Sequence, residues 1–139
     1  MTGQGRFRLI GHTADVGLIA DGNSLAEAYA AAARGMFAII TDIRKVRGKE
    51  SRRVTVTADD REGLLFEWLN HFLYLFDVEM MVFSRFDIME LGEKRLTAEA
   101  YGEKFDPSRH PLKTGVKSAT YHLLEVDGAQ HRVRVIFDV

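Results

Sequence analysis

From Arg6 to Ile10, polar and apolar side chains alternate, the period-two pattern of a half-buried strand. Gly11-His12-Thr13-Ala14-Asp15 interrupts the pattern, and Val16 to Ala20 resumes it before the turn signal Asp21-Gly22-Asn23. Ser24-Leu25-Ala26-Glu27 then reads as a capping box: the serine hydroxyl accepts from a free backbone N–H, and the glutamate reaches back to the cap. The alanine-rich run to about Ile40 has high helix propensity and sets Leu25, Ala28, Tyr29, Ala32, Met36 and Ile39 along one face.

Arg53 to Thr57 is a β-branched strand. Asp59 and Asp60 follow, placed to cap a second helix, with Asp59 the favoured cap and Glu62 suited to the positive helix end. At helical spacing Leu64, Leu65, Trp68, Leu69, Phe72, Leu73, Leu75 and Phe76 fill one half of that helix. Glu67, Asn70, His71 and Tyr74 fall on the other half, where Glu67 and His71, spaced i, i+4, read as a solvated face. The remaining apolar runs predict strands over Met80 to Met89, Leu96 to Gly102, Gly115 to Val126 and His131 to Phe137. Asp127-Gly128 is a hairpin signal, and Pro107 and Pro111 mark a loop. The expected fold class is α+β: a two-layer single domain over residues 1–139, two main helices packed on a mostly antiparallel sheet.

Composition narrows the picture. A chain of 139 residues without cysteine can bury a sufficient core, and it forms no disulfide, cysteine zinc site or thiolate nucleophile. No apolar run approaches the roughly 20 residues that span a bilayer, and Met1 to Arg8 has no signal-peptide core, so a soluble, cytoplasmic protein is expected. A formal net charge of −1 supplies no global field for nucleic acid, so RNA contact is expected to be local or made through a partner. The only run of basic residues, Arg44, Lys45, Arg47, Lys49, Arg52 and Arg53, is broken by Glu50. It reads as a solvated loop or as a contact for a phosphate or an acidic partner.

There is no Gly-Lys-Ser/Thr phosphate loop, no G-x-S-x-G elbow and no zinc-protease histidine pair. A nucleotide-consuming enzyme is not expected, and no catalytic residue is assigned. What remains is His12-Thr13-Ala14-Asp15-Val16-Gly17, polar groups at a strand end between Gly11 and Gly17, where backbone access is expected. Asp15 alone could close an Asx turn, and His12 could be a hydrogen-bonded rim residue. If the first and last strands are neighbours, however, Asp15 and Asp138 converge. Two carboxylates in contact repel unless a cation joins them, and an oxygen-only site suits a hard ion such as Ca²⁺ or Mg²⁺. Val139 would add its main-chain oxygen or free carboxylate.

The segments His12-Thr13-Ala14-Asp15-Val16-Gly17, Ser24-Leu25-Ala26-Glu27-Ala28, Leu64-Leu65-Phe66-Glu67-Trp68-Leu69-Asn70, Gly115-Val116-Lys117-Ser118-Ala119-Thr120-Tyr121-His122 and Phe137-Asp138-Val139 resemble, in this order, the archease family. The resemblance covers nearly the whole chain. Val116 and Ser118 stand where Ile and Ala are expected, and Val139 replaces a commoner Ile.

The resemblance implies an accessory protein for an RtcB-type RNA ligase that joins tRNA halves, promoting guanylylation of the ligase and its repeated turnover. It implies a divalent metal on Asp15, Asp138 and Val139, Ca²⁺ foremost, with Mg²⁺ or Mn²⁺ as the alternatives in function. His12 and Lys117 are expected to support that site or face the partner, or else to be a partly buried structural histidine and a surface lysine. The alternative function is a chaperone-like modulator of a tRNA cytosine methyltransferase. A free-standing metal hydrolase would need a base at the metal, and only His12 is visible for that role.

Overall fold

A computed structural model of the chain describes residues 3–11 and 15–139. The elements run β1 (Arg6–Gly11), β2 (Asp15–Asp21), α1 (Leu25–Ile40), a 3-10 turn (Ile43–Lys45), β3 (Glu50–Thr57), α2 (Arg61–Glu79), β4 (Met81–Leu91), β5 (Arg95–Lys104), β6 (Ser118–Asp127) and β7 (Arg132–Asp138). Each predicted strand and helix is present, and every described strand pairing is antiparallel. The strands divide into two sheets, one of order β1-β2-β7-β6 and one of order β3-β5-β4. Such a division depends on non-local pairing, which local hydrophobic pattern does not encode.

Local chemistry explains most of the element ends. The Ser24 hydroxyl accepts from the Glu27 N–H at 3.2 Å, as the capping box predicts. The Glu27 carboxylate reaches back one residue further than expected, to the Asn23 N–H at 3.1 Å. Helix α2 is capped by Asp60 rather than Asp59: its carboxylate accepts from the Gly63 N–H at 2.7 Å. Lys117 and the two residues before it lie in the loop ahead of β6, not within the strand. β1 is more exposed than its alternation suggested because it is a sheet edge, with Leu9 and Ile10 open to solvent.

Both helices bury their apolar faces against the sheets. One continuous cluster of buried side chains includes residues of both sheets and both helices. At its centre Phe72 meets Trp68, Phe83 and Phe86 edge-on, with ring centroids between 4.6 and 5.2 Å apart. The Trp68 indole N–H donates to the Tyr29 carbonyl at 3.0 Å, which ties α2 to α1 without leaving a buried donor unpaired. Gly35 allows α1 to approach β1 and β2: a methyl there would overlap the buried Leu18 side chain and press on the Phe7 ring.

Two further ties fix the segments around the end of β7. The Asn70 side-chain carbonyl accepts from the Ala119 N–H at 2.9 Å, anchoring β6 to α2. Asn70, on the half of α2 opposite its apolar residues, thus holds a strand in place. The loop 105–117 is pinned by Glu103, only 4% exposed, whose carboxylate accepts from the Arg47 N–H at 2.8 Å and Arg109 Nη2 at 2.6 Å. His110 Nδ1 accepts from the Asp106 N–H, so Nε2 carries the proton shared with Glu103 at 2.9 Å. Burial opposes the Glu103 charge, but these donors outweigh it and hold the carboxyl down to about 2 from an ordinary 4.5.

Two predictions follow from these ties. Asn70→Leu should strand the Ala119 N–H, cost about 1–3 kcal/mol and speed amide exchange at Ala119; unchanged exchange there would show the bond to be dispensable. Glu103, depressed in the fold, adds stability that is complete above its unfolded value of 4.5 and lost as pH falls toward about 2. In that window the wild-type chain should lose denaturant stability more steeply than Glu103→Gln, and parallel pH curves would contradict the assignment.

Candidate metal centre

The pairing of β2 with β7 sets Asp15 directly opposite Asp138, then Val16 opposite Phe137 and Gly17 opposite Ile136. Residues opposed across an antiparallel pair share one face of the sheet, and successive residues alternate faces. Phe137 is fully buried, so the inward face carries Val16 and Phe137, while Asp15 and Asp138 stand together on the outward face. The expected convergence of the two carboxylates is therefore a property of the strand register. On the other side of β7, Ser118 is opposite Asp138 and Thr120 opposite Ile136.

A cavity of about 290 Å³ opens at this corner, lined by Asp15, Thr120, His122, Ile136, Phe137 and Asp138. The Thr120 hydroxyl donates to the Ile136 carbonyl at 2.9 Å, and the Lys117 N–H donates to the Asp138 carbonyl at 2.8 Å. Those bonds hold the end of β6 across the end of β7. Asp138 and Lys117 are exposed and Asp15 is half-exposed, so a guest or partner group can reach the corner. Val139 packs its side chain against the core, which fixes its backbone beside Asp138.

Among the described residues no group of three or more His, Cys, Asp or Glu side chains converges to hold a metal. The donor set on offer is two facing carboxylates, the Thr120 hydroxyl, main-chain oxygens and the His122 imidazole at the rim. Hard oxygen donors of this kind match Ca²⁺, Mg²⁺ or Mn²⁺ and do not resemble a structural zinc site. In donor chemistry the residues fit a hard divalent cation, and the register sets the two aspartates opposite each other.

Thr120 and His122 were not singled out from the sequence. The signal was available: once Ser118 is opposite Asp138, residues two and four further along β6 fall on the same side. The register of β6 then shifts between Thr120 and Glu125, where Leu123 has a φ of 55°. His12 lies outside the described residues, as do Thr13 and Ala14 of the same motif. Of the two flanking glycines, Gly11 has open space where a side chain would be. Gly17 is covered instead, its missing methyl lying 3.3 Å from the Ile136 side chain.

The other acidic residues of interest lie elsewhere. Asp59, Asp60 and Glu67 line a separate concavity with Lys94 and Tyr121. Asp59 therefore does not join Asp15 and Asp138. His71 is half-buried against Phe72 and Tyr74, and that burial lowers its pKa from the ordinary 6.5. No helix among the described residues is long and apolar enough to cross a membrane.

Comparison with known proteins bears on the whole chain. The model of the Archease protein family (MTH1598/TM1083) matches residues 7–139. A protein archease of Sulfurisphaera tokodaii is 43% identical over 124 residues, 88% of each chain. One of Methanosarcina acetivorans is 38% identical over 146 aligned positions covering both chains completely. The solution structure of Methanobacterium thermoautotrophicum protein 1598 superposes with a TM-score of 0.77 at 35% identity, covering 96% of this chain and 98% of that one. A Thermotoga maritima crystal structure described as an archease and possible chaperone shares the fold, with a TM-score of 0.61 at 23% identity over 94% of each chain. With a family model that spans nearly all of the sequence, and relatives matched end to end, the chain belongs to the archease family.

Proposed function

We propose that this chain is an accessory protein of an RtcB-type tRNA-splicing RNA ligase, and that it presents a divalent cation held by Asp15, Asp138 and the main chain at Val139. The observation that carries the reading is the in-register pairing of the two aspartates at an exposed sheet corner, in a chain of this family. Neither carboxylate is committed to a salt bridge among the described residues.

A cation bound there would supply positive charge for orienting phosphate oxygens and neutralising charge that develops on them during guanylylation of the ligase. The chain's own residues do the rest. Asp15 and Asp138 set the position of the charge. Thr120 and the Lys117 backbone brace the strand ends that carry them. The Lys117 ammonium, exposed beside Asp138, meets a phosphate or an acidic surface of the ligase. The site has no assigned nucleophile, so chemistry stays in the ligase.

The alternative reading, a chaperone-like modulator of a tRNA cytosine methyltransferase, needs a binding surface but no cation. A guanylylation and multiple-turnover ligation assay with the cognate ligase distinguishes them. Asp15→Ala and Asp138→Ala are surface changes that should leave the fold intact, altering stability by no more than about 1 kcal/mol, and each should reduce stimulation to the level of ligase alone. Full stimulation by both variants would reject the cation mechanism. Assistance to a methyltransferase that survives chelation and both substitutions would favour the alternative.

A further inference from the structure

Far along the loop from Asp138 lies a second concavity with the opposite charge. The 3-10 turn and its continuation bring Arg44, Lys45 and Arg47 to one wall, and loop 105–117 brings Ser108 and Arg109 to the other. The cleft between them measures about 390 Å³, and none of its lining residues is acidic. The sequence showed only the first wall. Arg109 enters from a part of the chain more than sixty positions away and turns an ordinary basic run into an enclosure.

The walls are fastened to each other. Arg109 Nη1 donates to the Lys45 carbonyl at 3.3 Å, and the buried Glu103 carboxylate takes both the Arg47 N–H and Arg109 Nη2. Arg44 is held by a two-point contact to Asp42, each N–O distance 3.0 Å. Asp42 holds Arg44, and Glu103 and Asp106, the latter 3.8 Å from Nε, hold Arg109; none of the three carboxylates lines the cleft. The Lys45 ammonium and the Arg47 guanidinium are exposed and have no partner among the described residues. The cleft is thus built before any ligand arrives, with an excess of donors on two sides.

A carboxylate presents two oxygens in one plane and would satisfy a single guanidinium. The Ser108 hydroxyl is already donated to Asp106 at 2.7 Å. Several guanidinium and ammonium groups set on two walls call for a ligand with three or more oxygens spread in space. That ligand is a phosphate. We infer that the cleft between Arg44–Arg47 and Ser108–Arg109 is a phosphate-binding site, suited to the phosphate of a nucleotide or of an RNA strand. It does not depend on the cation reading, because it shares no residue with the Asp15–Asp138 corner.

The test is an amide-shift titration of the full chain at low salt with inorganic pyrophosphate and, separately, with a short 5′-phosphorylated single-stranded oligoribonucleotide. Saturable shifts should centre on residues 44–47 and 108–109. The exposed double substitution Lys45→Ser with Arg47→Ser should weaken binding roughly tenfold or more, while Lys94→Ser, in another concavity, should not. Equal affinity for both probes would identify a lone phosphate group as the ligand, and much tighter binding of the oligoribonucleotide would identify the strand. The inference is overturned if neither probe gives saturable shifts or if the double variant binds as the wild type does. It is equally overturned if an oligoglutamate peptide produces the same shifts at the same concentration.

Discussion

Strand β2 pairs with β7 in the one register that buries Leu18 and Ala20 together with Val133, Val135 and Phe137, all at most 1% exposed. A slip of β2 by one residue would turn Leu18 and Ala20 away from the core. Fully burying an aliphatic or aromatic side chain is worth roughly 1.5–3 kcal/mol, whereas two unit charges about 4 Å apart in water repel by about 1 kcal/mol. The core therefore wins, and it forces Asp15 against Asp138 whether or not anything lies between them. The carboxylate corner is a consequence of hydrophobic register, and a bound cation would relieve a repulsion that the fold imposes.

That dependence explains why the site was partly readable in the sequence. Helices α1 and α2 were legible because each carries a local signal: a capping side chain, then apolar residues at helical spacing. Strand positions were legible from alternation and turn residues. Pairing was legible only at the Asp127-Gly128 hairpin; β2 and β7 are more than a hundred residues apart, and the expectation that Asp15 meets Asp138 rested on supposing the first and last strands adjacent, whereas it is the second strand that lies beside the last. Thr120 and His122 reach the corner only through the register of β6 on β7, so nothing local marked them. The choice of Asp60 over Asp59 as the α2 cap turns on a single residue of chain direction. The role of Asn70 was not legible because helical spacing gives its angle about the helix but not the neighbouring Ala119 N–H that lies across it.

Charge tells a related story. The chain is nearly balanced, with 19 basic and 20 acidic residues, which argues against a strong global attraction to nucleic acid. The fold separates those charges locally. Asp42 and Glu103 are paired with Arg44 and Arg109, while Asp15 and Asp138 are left opposite each other at a corner. Loop 105–117 links the two regions, contributing Arg109 to one and Lys117 to the other, and the Lys117 N–H is bonded to the Asp138 carbonyl. Under the proposed function a protein that assists phosphate chemistry in a partner would have use for both: a cation at one end of a loop and a cationic cleft at the other.

The cation at the paired aspartates is the central claim, and titration with Mn²⁺ followed by paramagnetic broadening of backbone amides tests it most directly. Broadening should appear first at Asp15, Ser118 and Asp138, be reversed by excess Ca²⁺, and vanish in Asp138→Asn. Broadening that begins around Asp59 and Glu67, or that spreads evenly over the surface and survives Asp138→Asn, would contradict the account.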